Sequence, residues 1–280
     1  MSRGLQRPST KQIHSKKRLG QNFLVDSSVV ARITQAVRPR PDETIIEIGP
    51  GRGALTKRLV ELAGQVIAIE FDRDLIPHLR AQFSAASNFR LVEDDALIVN
   101  FCDLLDPGTR GRVVANLPYN IATAILQRLI AQRNCIAEMV LMLQREVVER
   151  MIAPPSSPER GFLSLLVEAH CDAEKLFDIP PGAFRPAPKV WSSVIRLTVH
   201  DRGTMDIKNE ELLWQVVSAG FAQRRKTILN NLRTAPAQLQ EVLKSHGGAS
   251  IVLCQAEVEL QRRAETLTLS EWQRITTVLL

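Results

Sequence analysis

Between residues 44 and 143, short apolar runs take turns with stretches of helical periodicity, and this alternation limits the fold more than any other feature of the 280-residue chain. Residues 44–49 (TIIEIG), 66–71 (VIAIEF), 89–92, 112–116 and 139–143 have the length and the apolar, β-branched character of strands. Residues 54–63, 75–83 and 122–131 repeat their apolar positions with the period of a helix. Strands that alternate with helices predict a Rossmann-like α/β domain, a doubly wound parallel sheet.

The run 190–200 (VWSSVIRLTVH) alternates and is rich in β-branched residues, which predicts a late antiparallel strand near the edge of the sheet. Beyond His200 the pattern turns helical, over 210–222, 225–232, 237–245 and 270–280, and no strand pattern follows. A boundary is therefore expected near Asp201-Arg202-Gly203. It separates an α/β domain of residues 18–202 from a small all-helical domain of residues 203–280, with residues 1–17 as a flexible basic tail. The proline-rich stretch 154–158 reads as a surface loop of the α/β domain.

Hydrophobic residues make up 45% of the chain, enough for a full core, and no run approaches the roughly 18 apolar residues of a membrane span. The four cysteines (Cys102, Cys135, Cys171 and Cys254) are dispersed without a CxxC pair. They are expected to be buried free thiols in a reducing, cytoplasmic compartment, with neither a disulfide framework nor a metal site. Net charge is +6, and its location matters more than its size. Arg3, Arg7, Lys11, Lys16, Lys17 and Arg18 precede the first acid, Asp26, and the rest of the chain is balanced. Such a tail is either a solvated terminus or an arm that meets phosphates. A mitochondrial presequence would need an apolar stripe that is missing here.

The loop Glu47-Ile48-Gly49-Pro50-Gly51-Arg52-Gly53 joins the first of these strands to the first of these helices. Alternate glycines let backbone pass close to a ligand and supply positive φ. The dinucleotide fingerprint is G-x-G-x-x-G, whereas this loop runs G-x-G-x-G, and Pro50 removes a donor that a pyrophosphate cradle would use. Glu70, 21 residues after Gly49, ends the second strand and can accept from both hydroxyls of a ribose. Asp95 follows the third strand and can accept from an adenine amino group. Together they describe a pocket for an adenosine without a pyrophosphate, which S-adenosylmethionine matches.

A fourth strand end carries Asn116-Leu117-Pro118-Tyr119. Proline fixes its own φ and pushes the preceding residue towards an extended conformation. The Asn116 side-chain oxygen and the Leu117 carbonyl can then leave the strand end as acceptors, beside the flat face of Tyr119. Two acceptors and a stacking face suit an exocyclic amino group that must become a nucleophile.

With these residues the chain resembles the ribosomal RNA adenine N6,N6-dimethyltransferases, most of all their bacterial small-subunit branch. The resemblance runs from about Lys16 to near the C-terminus. Arg18 to Leu24 (RLGQNFL) is similar to the family's N-terminal segment, which implies that Gln21, Asn22 and Leu24 close over the cofactor. The segment 47–56 is similar to its glycine loop and assigns Gly49 and Gly51 to the methionine end, while Glu70 and Asp95-Ala96 match its ribose and adenine positions. Asn116 to Tyr119 match its catalytic tetrapeptide, with Asn116 also beside the cofactor. Phe184, in the segment 183–190 (AFRPAPKV), matches a second aromatic brought to the target base. The family commonly has an acid where Trp191 stands. The run 221–227 (FAQRRKT) looks like the helical-domain signature of the small-subunit branch, and implies that Arg224, Arg225 and Lys226 contact RNA phosphates.

The resemblance implies S-adenosylmethionine as cofactor, no metal, and dimethylation of two adjacent adenosines in a 3′-terminal hairpin of 16S rRNA, with the small ribosomal subunit as partner. A monomer is expected. Two further readings share the scaffold. One is the large-subunit enzyme of the macrolide-resistance type, against which the 221–227 signature argues. The other is a ribosome-assembly or transcription factor, whose mark would be loss of the acceptor turn.

Overall fold

The computed structural model describes residues 21–200 and 210–280. The basic tail, residues 18–20 of the N-terminal motif and the boundary expected at 201–203 lie outside the described residues. The described residues open with strand β1 (Phe23–Leu24) and helix α1 (Ser27–Val37), where Asp26 caps the helix by accepting from the amides of Ser28 and Val29. Strand β2 (Thr44–Ile48), α2 (Thr56–Leu62), β3 (Gln65–Ile69), α3 (Ile76–Gln82), β4 (Phe89–Val92), β5 (Gly111–Asn116) and α4 (Ala122–Ala131) then follow the expected alternation. They lead to β6 (Ile136–Gln144), α5 (Arg145–Met151), α6 (Phe162–His170), β7 (Cys171–Ile179), β8 (Phe184–Arg185) and β9 (Ser192–Val199). Five helices end the chain: α7 (Glu210–Gly220), α8 (Ile228–Arg233), α9 (Ala237–Ser245), α10 (Ala249–Gln255) and α11 (Leu269–Val278).

Two compact units result. One runs to Cys135 and adds Ile179–Trp191; the other holds Ile136–Asp178 and Ser192–Leu280. In the first unit four parallel strands lie in the order β4-β3-β2-β5. The chain leaves β2 for β3 and β4 on one side and returns to place β5 on the other. The carboxyl ends of β2 and β5 therefore flank a switch point, where open α/β sheets bind ligands. Ile45, Ile46, Val66, Ile67 and Val113 have no exposed surface, as strands covered on both faces require. A separate ribbon pairs β1 with β8 antiparallel, setting Leu24 opposite Phe184.

The cysteine expectation is corrected in this unit. Cys102 and Cys135 form a disulfide with Cα atoms 5.4 Å apart, Cys254 is exposed, and Cys171 is buried and free. Short turns at Cys102–Leu104 and Arg133–Cys135 carry the paired residues, and their separation of 33 residues follows no spacing motif.

In the second unit β9 lies between β6 and β7, antiparallel to β6 with Ser192 opposite Gln144. The strand expected near the edge is thus covered by β7, whose sequence (CDAEKLFDI) carries four charges and is largely outside the core. Charge suits an edge strand and hides it from an apolar pattern. The helical core gathers α6 with α7, α8, α9, α10 and α11 around the fully buried Trp272, with Leu165, Leu213, Val216, Ile228 and Leu253 packed beside it. It therefore includes a helix that precedes β7. The loop at 154–158 belongs with it, because the Ser156 amide donates to the Glu265 carbonyl at 2.8 Å. α7 ends at Gly220, where a Cβ would lie 2.3 Å from the Trp272 ring, so only glycine fits.

Candidate active site

The glycine loop follows β2 directly. Gly49, Gly51 and Gly53 have φ of 71°, 59° and 76°, a region that favours glycine. The Gly49 amide continues the ladder by donating to Ile69 at 2.9 Å. A Cβ on Gly51 would come within 3.0 Å of the Phe23 ring, and one on Gly53 within 2.9 Å of Phe83. The loop thus packs between two aromatic rings, and the Arg52 guanidinium lies 4.7 Å from the centre of the Phe23 ring.

Glu70 follows β3, and its buried carboxylate gathers the loops on either side of it. Its Oε2 accepts from the Gly51 amide at 3.2 Å and its Oε1 from the Asp72 amide at 2.8 Å. Burial raises its pKa, against the pull of those two hydrogen bonds. Asp72, also buried, accepts from Gln21 Nε2 at 2.7 Å, which ties the N-terminal segment to the end of β3. Two features of this corner escaped the sequence reading although both directly follow Glu70: Asp72 as the partner of Gln21, and Phe71, whose ring is 59% exposed. Asp95 is half-buried, with one oxygen accepting from the Leu97 amide at 2.9 Å, and Ala96 is buried beside it.

Glu47 also escaped assignment. It is buried at the end of β2, and its Oε2 has no hydrogen-bond partner among the described residues. Burial pushes its pKa up to about 7, and the charge of nearby Glu70 adds to the rise.

Asn116 is the last residue of β5, and its carbonyl oxygen lies 3.7 Å from where a Cβ on Gly49 would sit. Its Nδ2 donates to the Asn22 carbonyl at 3.1 Å. That bond occupies the donor side of the amide and leaves the side-chain oxygen as its acceptor. The Leu117 side chain is buried, Pro118 and Tyr119 are half-buried, and a turn closed by the Ile121 amide on the Pro118 carbonyl at 3.1 Å leads into α4. Residues 21–24 thus join three parts of the site: Gln21 reaches Asp72, Asn22 reaches Asn116, and Leu24 pairs with Phe184.

Phe184 differs from the other assigned residues. Its ring has 0% exposure, so in this conformation it anchors its loop and offers no open face to a base. In the second unit, Arg224, Arg225 and Lys226 are exposed in the turn between α7 and α8. α8 starts three residues later than its apolar pattern indicates, because Thr227 caps it by accepting from the Asn230 amide. The buried Asn231 fixes the turn, donating to the carbonyls of Gly220 and Gln223. Arg224 also donates to the Pro158 carbonyl.

The sequence profile of the family described as ribosomal RNA adenine dimethylase matches residues 12–274. A ribosomal RNA small subunit methyltransferase A from Chromohalobacter salexigens is 43% identical over 93% of this chain and 90% of its own length. The protein of the same name from Hahella chejuensis is 41% identical over 93% and 91%. Among solved structures, a dimethyladenosine transferase from Plasmodium falciparum superposes with a TM-score of 0.76 at 22% identity, over 90% of this chain and 95% of that one, and shares the fold. The 23S rRNA methyltransferase ErmE superposes with a TM-score of 0.67 at 25% identity, over 92% and 99%. With a glycine loop, a buried acid and an oriented asparagine at adjacent strand ends, the chain belongs to the ribosomal RNA adenine dimethylase family.

Proposed function

We propose that the protein dimethylates N6 of two adjacent adenosines in a 3′-terminal hairpin of 16S rRNA, with S-adenosylmethionine as methyl donor, during small-subunit assembly. The observation that carries this reading is the amide of Asn116, turned by the Asn22 carbonyl so that its oxygen remains to accept from a substrate amino group. The small-subunit names of relatives 41–43% identical over nearly their whole length favour this RNA over the large-subunit one.

The donor set fits the cofactor. Glu70 is a buried carboxylate suited to ribose hydroxyls, Asp95 keeps an oxygen for an adenine amino group, and Pro50 leaves a loop without the full set of amides a pyrophosphate would use. Gly49 and Gly51 would lie along the methionine end, Ala96 beside the adenine, and Gln21, Asn22 and Leu24 over the bound molecule. When bound, S-adenosylmethionine supplies a methyl group already activated by its sulfonium.

The chain's own residues then have one task, to prepare and aim the adenine nitrogen. The N6 lone pair is delocalised into the ring and is a poor nucleophile. Acceptance of its two hydrogens by the Asn116 oxygen and the Leu117 carbonyl favours a pyramidal nitrogen and localises that pair. Tyr119 stacks on one face of the base, an interaction worth about 1–3 kcal/mol. Phe184 takes the other face, which requires its segment to shift and expose the buried ring. Holding the reacting atoms in line supplies about 7–11 kcal/mol of the barrier reduction. The proton leaves readily once the nitrogen is cationic, so no dedicated base or metal is needed.

Arg225 and Lys226, and less so Arg224, which donates to the Pro158 carbonyl, would contact RNA phosphates as part of a helical region at 203–280 that binds RNA. The protein would act as a cytoplasmic monomer. Incubation with labelled S-adenosylmethionine and undermethylated small subunits, followed by nucleoside analysis, tests the proposal. Label in dimethyladenosine at two neighbouring positions is expected; transfer to large-subunit RNA alone, or none, overturns it.

A further inference from the structure

We propose that Trp191 is an additional stacking platform for RNA, taking a nucleotide that flanks the target adenosine. The proposal rests on the rRNA reading above. Trp191 is 45% exposed and Val190 beside it 38% exposed. The other two tryptophans are committed to packing: Trp272 is fully buried, and Trp214 lies 5.5 Å from Phe162 and 5.7 Å from His170 between ring centres. A large aromatic ring left in water is informative because so much apolar surface stays unburied.

Its surroundings state what it suits. The segment 179–191 (IPPGAFRPAPKVW) contains Arg185 and Lys189, both exposed, and no acid. Bases stack on exposed rings while cations meet the phosphates between them, and this pairing is how single-stranded nucleic acid is held without regard to sequence. Trp191 adds a face for a base beside those two cations.

The first unit fixes where the platform can act. Asn116 is bonded to Asn22; two residues further on, Leu24 pairs with Phe184, and the amides of Val25 and Asp26 donate to the Ala183 carbonyl at 2.9 and 3.3 Å. The loop that ends in Trp191 is thus tied at its start to the segment that orients the catalytic amide. Seven residues of chain beyond Phe184 reach at most about 25 Å. Trp191 is therefore confined to nucleotides near the one being methylated, and its role is to hold substrate.

Steady-state methyl transfer to undermethylated small subunits by the full chain tests this. Trp191→Ala should raise KM for subunits about tenfold, within the range expected for one unstacked base. Its kcat should stay within about twofold and its affinity for S-adenosylmethionine should not change, because the ring touches neither the reacting atoms nor the cofactor. Trp191→Phe, which keeps a stacking face, should recover most of the loss. In parallel, a synthetic RNA hairpin with two adjacent adenosines should quench the parent's tryptophan emission, and Trp191→Phe should bind the hairpin without that quenching. A parental KM in Trp191→Ala, or quenching that persists in Trp191→Phe, overturns the proposal. A parent that leaves small subunits unmethylated yet shows Trp191-dependent quenching overturns the small-subunit reading and supports the platform. Absence of quenching in an active parent overturns the platform alone.

Discussion

Single side chains at adjacent strand ends divide the labour of this protein. Asn116 lies one covalent step beyond the buried sheet core, and its amide is held by a bond to Asn22 that costs it no acceptor. In the proposed mechanism Asn116→Ala removes an acceptor whose effect is greatest as charge develops on the substrate nitrogen, so the loss should fall on kcat. A decrease of at least about a hundredfold is expected, the scale of losing one preorganised polar group. Affinity for S-adenosylmethionine should change only modestly, and near-parental turnover would remove the mechanism. Glu47 gives a second prediction, on stability. Its pKa is raised to about 7 by burial, so between its ordinary value near 4.5 and 7 the folded state holds a proton that the unfolded state has released. Stability contributed by the neutral acid is complete below about pH 4.5 and is lost as pH rises through 7. At about 1.4 kcal/mol per pKa unit, the loss approaches roughly 3 kcal/mol. Glu47→Gln should flatten that slope in urea unfolding followed from pH 4.5 to 8; an unchanged slope would assign the pH dependence to other groups.

At the level of elements, the proposed phosphate contacts fall in a short turn between two helices. The turn between α7 and α8 is shaped from below by Asn231, and it displays Arg224, Arg225 and Lys226. Because Arg224 already donates to the Pro158 carbonyl, Arg225 and Lys226 are the better candidates for the proposed phosphate contacts. Each phosphate left without its cation should shallow the slope of log affinity against log salt by about 0.7 to 0.9. Arg225→Gln with Lys226→Gln should therefore reduce the slope for small subunits by about 1.5 units, and neutralising Arg224 as well should add little. An unchanged slope in the double variant would make these cations a solvated surface. The turn is legible in the sequence as a basic cluster. Its start relative to α8 is not, because Thr227 and Asn231 set it through caps and buried bonds.

For the whole molecule, a ligand that binds only the folded state raises stability by mass action, by about 2.7 kcal/mol at a hundred times Kd. Saturating S-adenosylmethionine should therefore raise the melting temperature by several degrees, while NAD at the same concentration leaves it unchanged. Glu70→Ala should weaken cofactor binding by about 1.5–3 kcal/mol, the scale of hydrogen bonds involving a charged group. The shift should then appear only at far higher S-adenosylmethionine. Stabilisation by NAD, or a parental shift in Glu70→Ala, would displace the adenosine assignment. The sequence by itself determined the alternation of parallel strands and helices, the glycine loop with its acids, the acceptor turn and the helical ending. Each is written in local chemistry: apolar runs of strand length, glycines where φ must be positive, a proline after an extended residue. Only the tertiary structure decided that Asn22 turns the amide of Asn116 and that Asp72 holds Gln21. It also placed α6 in the helical core, paired Cys102 with Cys135 and sealed Phe184 against a two-residue ribbon. Those outcomes join residues far apart in the chain, and no local window of sequence contains both partners.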